Sequence, residues 1–232
     1  MHFEAYKTTL QAFRDQGFSD LDLANITLPE LDALLDDQAH LIASLLEQGA
    51  VIAGWKIVDR NDGVIISPIF DFQVVPTTGE TVSREVLRGT EMEVCFQLNV
   101  PTSNESISEL VASLDTYAAV ELIRPAINTL NHPACDFFFN YGVLISQKTL
   151  SGDLVFNGGH QGYKFAFSIE QAAERKRSVL KQGVLECIRR GYAGKDYFFI
   201  TGTLNGLVSV ADSIGFNSLT NHDETLISFN VL

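Results

Sequence analysis

Two glutamates, Glu91 and Glu93, lie two positions apart in a stretch where apolar and polar residues alternate strictly. This alternation is typical of a half-buried β-strand, so both carboxylates should point to the same side of one sheet. Strands are depleted in Glu, and two like charges on one face repel each other. A divalent cation would offset that repulsion, and oxygen-only ligands suit hard ions such as Mg²⁺, Mn²⁺ or Ca²⁺. Taken alone, the stretch is better explained as a solvated strand face in an acidic protein.

The composition restricts the classes of partner. The 232 residues include 16 basic and 29 acidic ones, which gives a formal net charge of −13, and 46% of the residues are hydrophobic. This length and apolar content suit one large domain. The acidic balance argues against nucleic acid or an anionic membrane as a partner, since phosphate contacts need clustered cations. The basic run at Arg175-Lys176-Arg177 has helical surroundings and is interpreted as a solvated face or a contact with an acidic neighbouring subunit.

Cysteine usage and the N-terminal sequence predict a cytoplasmic protein. The three cysteines, Cys95, Cys135 and Cys187, are far apart and form no metal-binding spacing, which predicts reduced thiols in the cytosol. The N-terminus shows no basic region followed by an apolar run, and no apolar stretch is long enough to span a bilayer.

The order of elements predicts an α+β fold with a β-dominated core. Residues 1–50 have helical character: one helix is predicted at 3–16, and a second follows the capping pattern Thr27 to Glu30 and ends near Gly49. Residues 51–232 form the β-rich part. Helices are inserted at 106–115, where Ser106 to Glu109 repeats the capping-box pattern, and at 168–190, where Ser168 is a candidate cap. The two parts, 1–50 and 51–232, are expected to form one compact unit.

Two further charged residues, Lys56 and Glu121, lie within predicted β-strands. Strands are predicted at 51–58, 64–70, 117–123, 136–146, 153–157, 197–203, 207–210 and 225–231, with a loop at 72–88; a helix is the alternative for 117–123. Lys56 lies within the first strand. If its ammonium is buried, it needs a partner of opposite charge. The alternative is that the strand lies at the edge of the sheet, where an exposed lysine prevents aggregation. Glu121 is a lone carboxylate among apolar neighbours.

Four segments follow one another along the chain: Gly54-Trp55-Lys56-Ile57, Glu91-Met92-Glu93, the Ala-Val-Glu-Leu-Ile sequence at 119–123, and Thr201-Gly202-Thr203. In this order they resemble the fumarylacetoacetate hydrolase superfamily, and in particular its hydratase/decarboxylase branch, typified by the 2-keto-4-pentenoate hydratases. The resemblance implies a mixed β-roll or barrel-like sandwich, the fumarylacetoacetase C-terminal-like fold, with the N-terminal helices packed outside. It also implies a homo-oligomer.

The resemblance further implies an octahedral Mg²⁺ or Mn²⁺ held by Glu91, Glu93 and Glu121. The carboxylate and 2-oxo oxygens of a 2-oxo acid would fill the open positions, and the ion would stabilise the enolate that forms. Lys56 would add positive charge beside that enolate as a catalytic residue. The implied substrate contacts are Ser67, Asn140, Gly202 and Thr203.

The chain departs from this branch on the substrate side. The loop after the Lys56 strand is shorter, and only Asn140 remains of a usual Asp-Asn pair. The general acid or base therefore stays open among Asp71, Asp62 and a metal-bound water. Cys95 and Gln97 continue along the face of Glu91 and are further candidates to line the pocket.

The leading functional hypothesis is a Mg²⁺-dependent lyase of aromatic catabolism that hydrates a small 2-hydroxydienoic or 2-oxo acid. Decarboxylation of a 2-oxo acid is one alternative. Another is hydrolysis of a C–C bond in an acylpyruvate, for which His160 and His132 are the available helpers. A third is a non-catalytic homologue that keeps the fold and the metal.

Overall fold

The computed structural model describes residues 28–60, 63–125, 137, 140–148 and 150–232. The helices in these ranges are α1 (Leu28–Glu47), α2 (Ile107–Ser113), α3 (Ile169–Arg189) and α4 (Val210–Ser213). The strands are β1 (Ile52–Arg60), β2 (Gly63–Phe70), β3 (Glu80–Val82), β4 (Gly89–Asn99), β5 (Thr116–Ile123), β6 (Asn140–Ile145), β7 (Asp153–Gly158), β8 (Tyr163–Ser168), β9 (Asp196–Ile200), β10 (Val208–Ser209), β11 (Gly215–Asn221) and β12 (Glu224–Val231). The helix predicted at 3–16 and the Thr27 cap lie outside the described residues.

The strands form two sheets. The seven-stranded sheet has the order β2-β1-β9-β4-β5-β6, with β10 paired to β4, and the five-stranded sheet has the order β3-β12-β11-β7-β8. Most neighbouring strands are antiparallel, but β1 pairs with β9 and β12 pairs with β3 in parallel, so both sheets are mixed. The predicted α+β class with a β-dominated core is confirmed.

The larger sheet curls into a half-barrel. A short 3₁₀ turn, Asp71–Gln73, follows β2, and Val74 then bridges to Val143 of β6. The two ends of the strand order are therefore brought towards each other, as the barrel-like expectation requires. The inner face carries a small buried apolar cluster: Ile69, Cys95, Ala119, Val143, Phe198 and Ile200.

The opposite face of the larger sheet contributes to the main core, together with α3 and the smaller sheet. Trp55 is fully buried there, and its ring centroid lies 4.5 Å from that of Tyr192. Helix α3 approaches β1 closely because Gly183 has no side chain: a Cβ at this position would lie 2.3 Å from Ile57. Burial of each large apolar side chain stabilises the fold by about 1.5–3 kcal/mol, so this layer fixes the position of β1 and hence of Lys56.

Helix α1 packs outside the half-barrel. Its buried residues Leu41, Ile42 and Leu45 form a separate cluster with Phe70 and Phe137. The helix ends where the sequence predicted: Gly49 has φ +89°, and the Ala50 amide donates to the Leu45 carbonyl oxygen at 3.0 Å. A glycine tolerates this left-handed conformation without steric cost. The proposed division at residue 50 stays a prediction.

Three local predictions differ from the structure. The loop predicted at 72–88 contains the short strand β3, and strands β8 and β11 were not predicted. Ser106 has φ +60° and makes no capping bond to α2, so the capping-box prediction there is wrong. By contrast, the Ser168 side chain accepts a hydrogen bond from the Gln171 amide and caps α3 as predicted. No helix among the described residues is long and apolar enough to cross a membrane.

Candidate metal centre

The pairing of β4 with β5 places three carboxylates on one face of the curled sheet. Glu91 and Glu121 lie directly opposite each other in the antiparallel register. Glu93 follows two residues along β4 and therefore points to the same side. One carboxylate oxygen from each of the three residues lies within 4.8 Å of the others. The register, rather than any local motif, brings Glu121 to the Glu91 and Glu93 pair.

Lys56 lies in the same cluster. Its strand, β1, runs between β2 and β9, so the residue is not on an edge strand and the aggregation-blocking interpretation is wrong. The Nζ atom lies 2.9 Å from Oε1 and 2.8 Å from Oε2 of Glu121. This nearly fully buried ammonium thus has the carboxylate partner that its burial demands.

The cluster holds more negative charge than Lys56 can balance. Burial raises the pKa of Glu93 well above its ordinary value, and the charge of Glu121 adds to the rise. Burial also raises the pKa of Glu91, against the opposing effect of Lys56. For Lys56 itself burial acts to lower the pKa, but the charges of Glu121, Glu93 and Glu91 outweigh it and raise the pKa. Lys56 is therefore held protonated, while the raised pKa values of Glu91 and Glu93 disfavour ionisation of these two carboxyl groups.

The donor set fits a hard divalent cation. Glu93 and Glu121 are fully buried, which shows that the interpretation of this strand face as solvated is wrong. Glu93 Oε1 is buried and has no hydrogen-bond partner among the described residues. An orphaned carboxylate oxygen is costly unless something binds it. Three converging carboxylates are the oxygen ligands that Mg²⁺ and Mn²⁺ prefer.

Two amide side chains hold Glu121 in place. Asn140 Nδ2 donates to Glu121 Oε1 at 2.7 Å. Gln73 Nε2 donates to Asn140 Oδ1 at 2.9 Å, and Gln73 Oε1 accepts from the Phe70 amide at 2.9 Å. The second amide thus fixes which way the first one points, so that Asn140 presents its NH₂ group to the carboxylate. The sequence provided no sign of Gln73, which lies in a stretch predicted as loop.

The remaining predicted substrate contacts surround the carboxylates. The Gly202 amide donates to Glu93 Oε2 at 2.6 Å, and its φ of +88° is one that glycine adopts readily. Thr203 follows it and hydrogen-bonds Asn205 Oδ1 at 3.3 Å. Ser67 is buried opposite Lys56 in the β1–β2 register, and its Oγ has no hydrogen-bond partner within the described part of the chain.

A cavity of about 460 Å³ opens beside this cluster. Lys56, Glu91, Gly202 and Thr203 line it from the predicted site. The other lining residues are Ile57, Val58, Asp59, Arg88, Ile123, Lys176 and Leu207. Two of these, Arg88 and Lys176, are cations that the sequence analysis did not assign to the site.

Several candidates lie elsewhere. Asp71 is exposed at the end of β2, where its Oδ1 accepts from the Val51 amide at 3.4 Å, and it does not line the cavity. Gln97 is exposed and lines a different cavity, so its placement in the site pocket is wrong. Cys95 is buried inside the curl, where burial raises the pKa of its thiol. His160 is exposed and does not line the cavity; Asp62, His132 and Cys135 lie outside the described residues.

Comparison with solved structures identifies the fold. The chain resembles 4-oxalocrotonate decarboxylase from Pseudomonas putida G7 complexed with calcium and acetate, with a TM-score of 0.70 and 15% identity over 100% of this chain and 99% of that one. The same enzyme complexed with magnesium and adipate gives a TM-score of 0.68 at 14% identity, again over 100% and 99%. For 2-hydroxyhepta-2,4-diene-1,7-dioate isomerase from Mycobacterium marinum the TM-score is 0.52 at 10% identity, over 78% and 75%.

These structural neighbours confirm the fold that the resemblance to the fumarylacetoacetate hydrolase superfamily implies. No protein-family model and no curated protein matches the sequence. The roles of the individual site residues remain predictions.

Proposed function

We propose that this chain is a divalent-metal-dependent lyase that acts on a small 2-oxo acid through an enolate. One observation supports this most directly: a buried lysine lies within hydrogen-bonding distance of one of three converging carboxylates, beside a cavity of about 460 Å³. A buried charge without a partner is strongly destabilising, and this cluster has more carboxylates than cations as well as an orphaned oxygen.

Glu91, Glu93 and Glu121 would hold Mg²⁺ or Mn²⁺. When bound, such an ion supplies Lewis-acid stabilisation to the oxygen on which enolate charge develops. The Gly202 amide keeps Glu93 oriented, and Asn140 does the same for Glu121. These fixed contacts mean that the carboxylates need little reorganisation, which favours pre-organised binding.

Lys56 is the proposed catalytic group of the chain itself. Its Nζ atom contacts both oxygens of Glu121, and the residue lines the cavity. Because neighbouring carboxylates keep it protonated, it can donate a hydrogen bond to a developing enolate oxygen. It can also return a proton to carbon once the enolate collapses.

Hydration of a 2-hydroxydienoic acid is the reaction expected from the sequence. In this reaction the enol oxygen loses its proton while the terminal carbon gains one, which leaves an unsaturated 2-oxo acid. Water then adds across the carbon–carbon double bond. Its oxygen bonds to the carbon farther from the ketone, and a proton adds to the carbon next to the ketone. The acid or base that moves these protons is open, because Asp71 does not line the cavity.

Decarboxylation is the second candidate, and two observations favour it. The resemblance to a 4-oxalocrotonate decarboxylase spans the whole chain. Apart from the three clustered glutamates, Asp59 is the only carboxylate in the described cavity lining that could activate water. Decarboxylation needs no such base: the electron pair of the breaking C–C bond passes into the 2-oxo group, CO₂ leaves, and the carbon regains a proton. Hydrolysis of an acylpyruvate receives no comparable support, because His160 is not at the cavity.

The experiment is a parallel assay of both reactions with the full chain and Mg²⁺. 2-Hydroxypenta-2,4-dienoate would report hydration by its loss of absorbance, and 4-oxalocrotonate would report decarboxylation by release of CO₂. We expect turnover of at least one, and loss of that turnover in Glu91→Gln and Glu121→Gln. Lys164→Gln, an exposed change on β8, is the control and should be unaffected. Normal turnover in either glutamate variant would refute the site, and metal binding without any turnover would favour the non-catalytic homologue.

The oligomeric state, the cellular location and the partners of the protein are also proposals. The resemblance leads us to propose a homo-oligomer, and the cysteine pattern leads us to propose the cytoplasm. Cys95 and Cys187 are buried free thiols. The net negative charge of the chain disfavours nucleic acid and anionic membranes as partners, since both are also negatively charged.

A further inference from the structure

Two cations of the cavity lining lie near the glutamate cluster without a direct bond to it, although the charge of one of them, Arg88, acts to lower the pKa of Glu91. Arg88 and Lys176 both line the cavity beside the glutamate cluster. Neither side chain makes a hydrogen bond or an ion pair within the described residues, whereas Lys56 is paired with Glu121. Unpaired cations on a cavity wall are available to bind an anion that enters it.

Lys176 differs from its two neighbours in the basic run of α3. Arg175 donates to the Gln171 carbonyl oxygen, and Arg177 donates to the Val111 carbonyl oxygen and lies over the ring of Phe96. Lys176 instead points to the cavity, as its lining position shows. The interpretation of the whole run as a solvated face therefore does not hold for its central residue.

The ammonium of Lys176 lies close to the reactive part of the cavity. Its Nζ is 3.5 Å from the position that a Cβ on Gly202 would occupy. The Gly202 amide in turn donates to Glu93 Oε2. Lys176 thus lies beside Gly202, which itself contacts the carboxylate cluster, but Lys176 forms no ion pair with the cluster.

Arg88 is held firmly by its backbone while its side chain is exposed. Its amide donates to the Ile123 carbonyl oxygen at 2.7 Å, and its own carbonyl oxygen accepts from the Val210 amide at 2.9 Å. The residue directly precedes β4, three positions before Glu91. A guanidinium on a fixed backbone can bind a carboxylate in the bidentate geometry that arginine favours.

The charges of the cavity suit a ligand with two negative groups. A divalent cation and Lys56 together would balance the three glutamates, so that Arg88 and Lys176 would remain as surplus positive charge. Asp59 also lines the cavity and opposes an anion there, so the preference depends on two cations against one carboxylate. The volume of about 460 Å³ lies within the range of about 300–1,000 Å³ that is usual for small-molecule sites.

We propose that Arg88 and Lys176 form an anion subsite that receives a second carboxylate of the substrate. The substrate is then a 2-oxo dicarboxylic acid, with its 2-oxo end at the glutamates and its distal carboxylate at the two cations. This inference rests on the proposed function, because it takes the glutamate cluster as the site of the 2-oxo group.

The test compares two saturated 2-oxo acids by calorimetric titration into the full chain with saturating Mg²⁺. 2-Oxobutyrate has one carboxylate, and 2-oxoadipate has two. Wild type should bind 2-oxoadipate at least about 10-fold more tightly, since one charge-assisted contact contributes about that factor. Arg88→Gln and Lys176→Gln should each remove about 10-fold of the affinity for 2-oxoadipate and change that for 2-oxobutyrate less than twofold.

Lys181→Gln is the matched control, because it removes the same charge from the exposed side of α3 away from the cavity. It should leave both affinities at the wild-type level. An unchanged ratio of the two affinities in Arg88→Gln and Lys176→Gln would overturn the subsite, as would equal losses for both ligands. If 2-oxobutyrate binds in a Mg²⁺-dependent manner while the ratio is unchanged, only the subsite fails. If neither acid binds in a Mg²⁺-dependent manner, the proposed function fails with it.

Discussion

Two clusters of ionised side chains in this molecule solve the same electrostatic problem in opposite ways. At the end of α3, Glu186 accepts hydrogen bonds from Arg189 at 2.7 and 2.8 Å and from Arg190 at 2.6 Å. On the curled sheet, Glu91, Glu93 and Glu121 share the single ammonium of Lys56. Cations outnumber the carboxylate in the first cluster, and carboxylates outnumber the cation in the second.

The pKa shifts follow this difference. Burial acts to raise the pKa of Glu186, but its hydrogen bonds to Arg189 and Arg190 outweigh burial and lower the pKa. Burial and the charge of Glu121 together raise the pKa of Glu93. A cluster that is satisfied by its own residues stabilises the fold, whereas an unsatisfied buried cluster destabilises it until a ligand binds. Unsatisfied clusters of this kind are typical of functional sites.

The largest effect should come from exchanging one glutamate in each cluster. Glu93→Gln keeps the size of the side chain and an acceptor for the Gly202 amide but removes a charged ligand. We expect it to weaken Mg²⁺ binding about 100-fold or more, since even residues that only orient metal ligands contribute about 10- to 100-fold. Glu186→Gln should leave Mg²⁺ affinity unchanged. Calorimetric titration of Mg²⁺ checks both variants, and equal affinities would remove the distinction between the clusters.

Lys56→Met separates metal binding from catalysis within the second cluster. The variant removes positive charge beside the carboxylates, so Mg²⁺ should bind at least as tightly as in wild type. Turnover of the preferred substrate should fall about 100- to 1,000-fold, the loss typical of removing one donor to a developing oxyanion. Steady-state kinetics at saturating Mg²⁺ measures this. Weaker Mg²⁺ binding with normal turnover would contradict the role given to Lys56.

Gln73→Met tests whether the buried amide orients Asn140 and, through it, Glu121. We expect about a 10-fold loss of Mg²⁺ affinity, the lower end of the range for groups that orient metal ligands. Gln97→Met, an exposed change on β4 away from the cavity, is the matched control and should have no effect. If Gln73→Met lowers stability but keeps wild-type Mg²⁺ affinity, the residue has a structural role only.

The smallest effects should appear in the stability of the metal-free protein, with opposite signs in the two clusters. The pKa of Glu93 is higher in the folded protein than in the unfolded chain. Between these two pKa values the folded protein retains a proton that the unfolded chain has released, so wild type loses stability as pH rises from the unfolded to the folded pKa. Glu93→Gln avoids this loss and should be more stable than wild type at neutral pH by about 1 kcal/mol or more.

The folded pKa of Glu186 is lowered, so its contribution to stability is present above its unfolded pKa and lost as pH falls through the folded pKa. Glu186→Gln should therefore be less stable than wild type at neutral pH, by less than about 1 kcal/mol because the ion pairs are partly solvated. Denaturant titration from neutral to acidic pH measures both variants. A destabilised Glu93→Gln at neutral pH would show that its cluster is structural.

The sequence predicted those parts of the site that local patterns determine. The alternation in β4 placed Glu91 and Glu93 on one face, and the helix stop at Gly49 follows from a single glycine. Glu121 could be added only through family resemblance, because its position opposite Glu91 depends on strand register. Register is a property of long-range pairing and is not visible in a short segment.

The parts that were missed depend on tertiary contacts. Gln73 lies in a 3₁₀ turn, and only its distance to Asn140 shows what it does. The sequence does not distinguish the role of Lys176 from those of its basic neighbours Arg175 and Arg177. Lys176 reaches the cavity because it lies on the face of α3 that is turned towards it. Asp71 is a candidate by residue type and position in the sequence, but no described residue of β2 or of the turn after it lines the cavity.

The central claim is that Glu91, Glu93 and Glu121 form one metal site that binds a 2-oxo acid. A crystal structure with Mn²⁺ and oxalate, analysed by anomalous scattering, tests it most directly. We predict one anomalous peak among the three carboxylates, with oxygen–metal distances of about 2.0–2.2 Å, and oxalate on its open side facing Lys56. A peak elsewhere, or an ion that contacts none of the three glutamates, would contradict the claim.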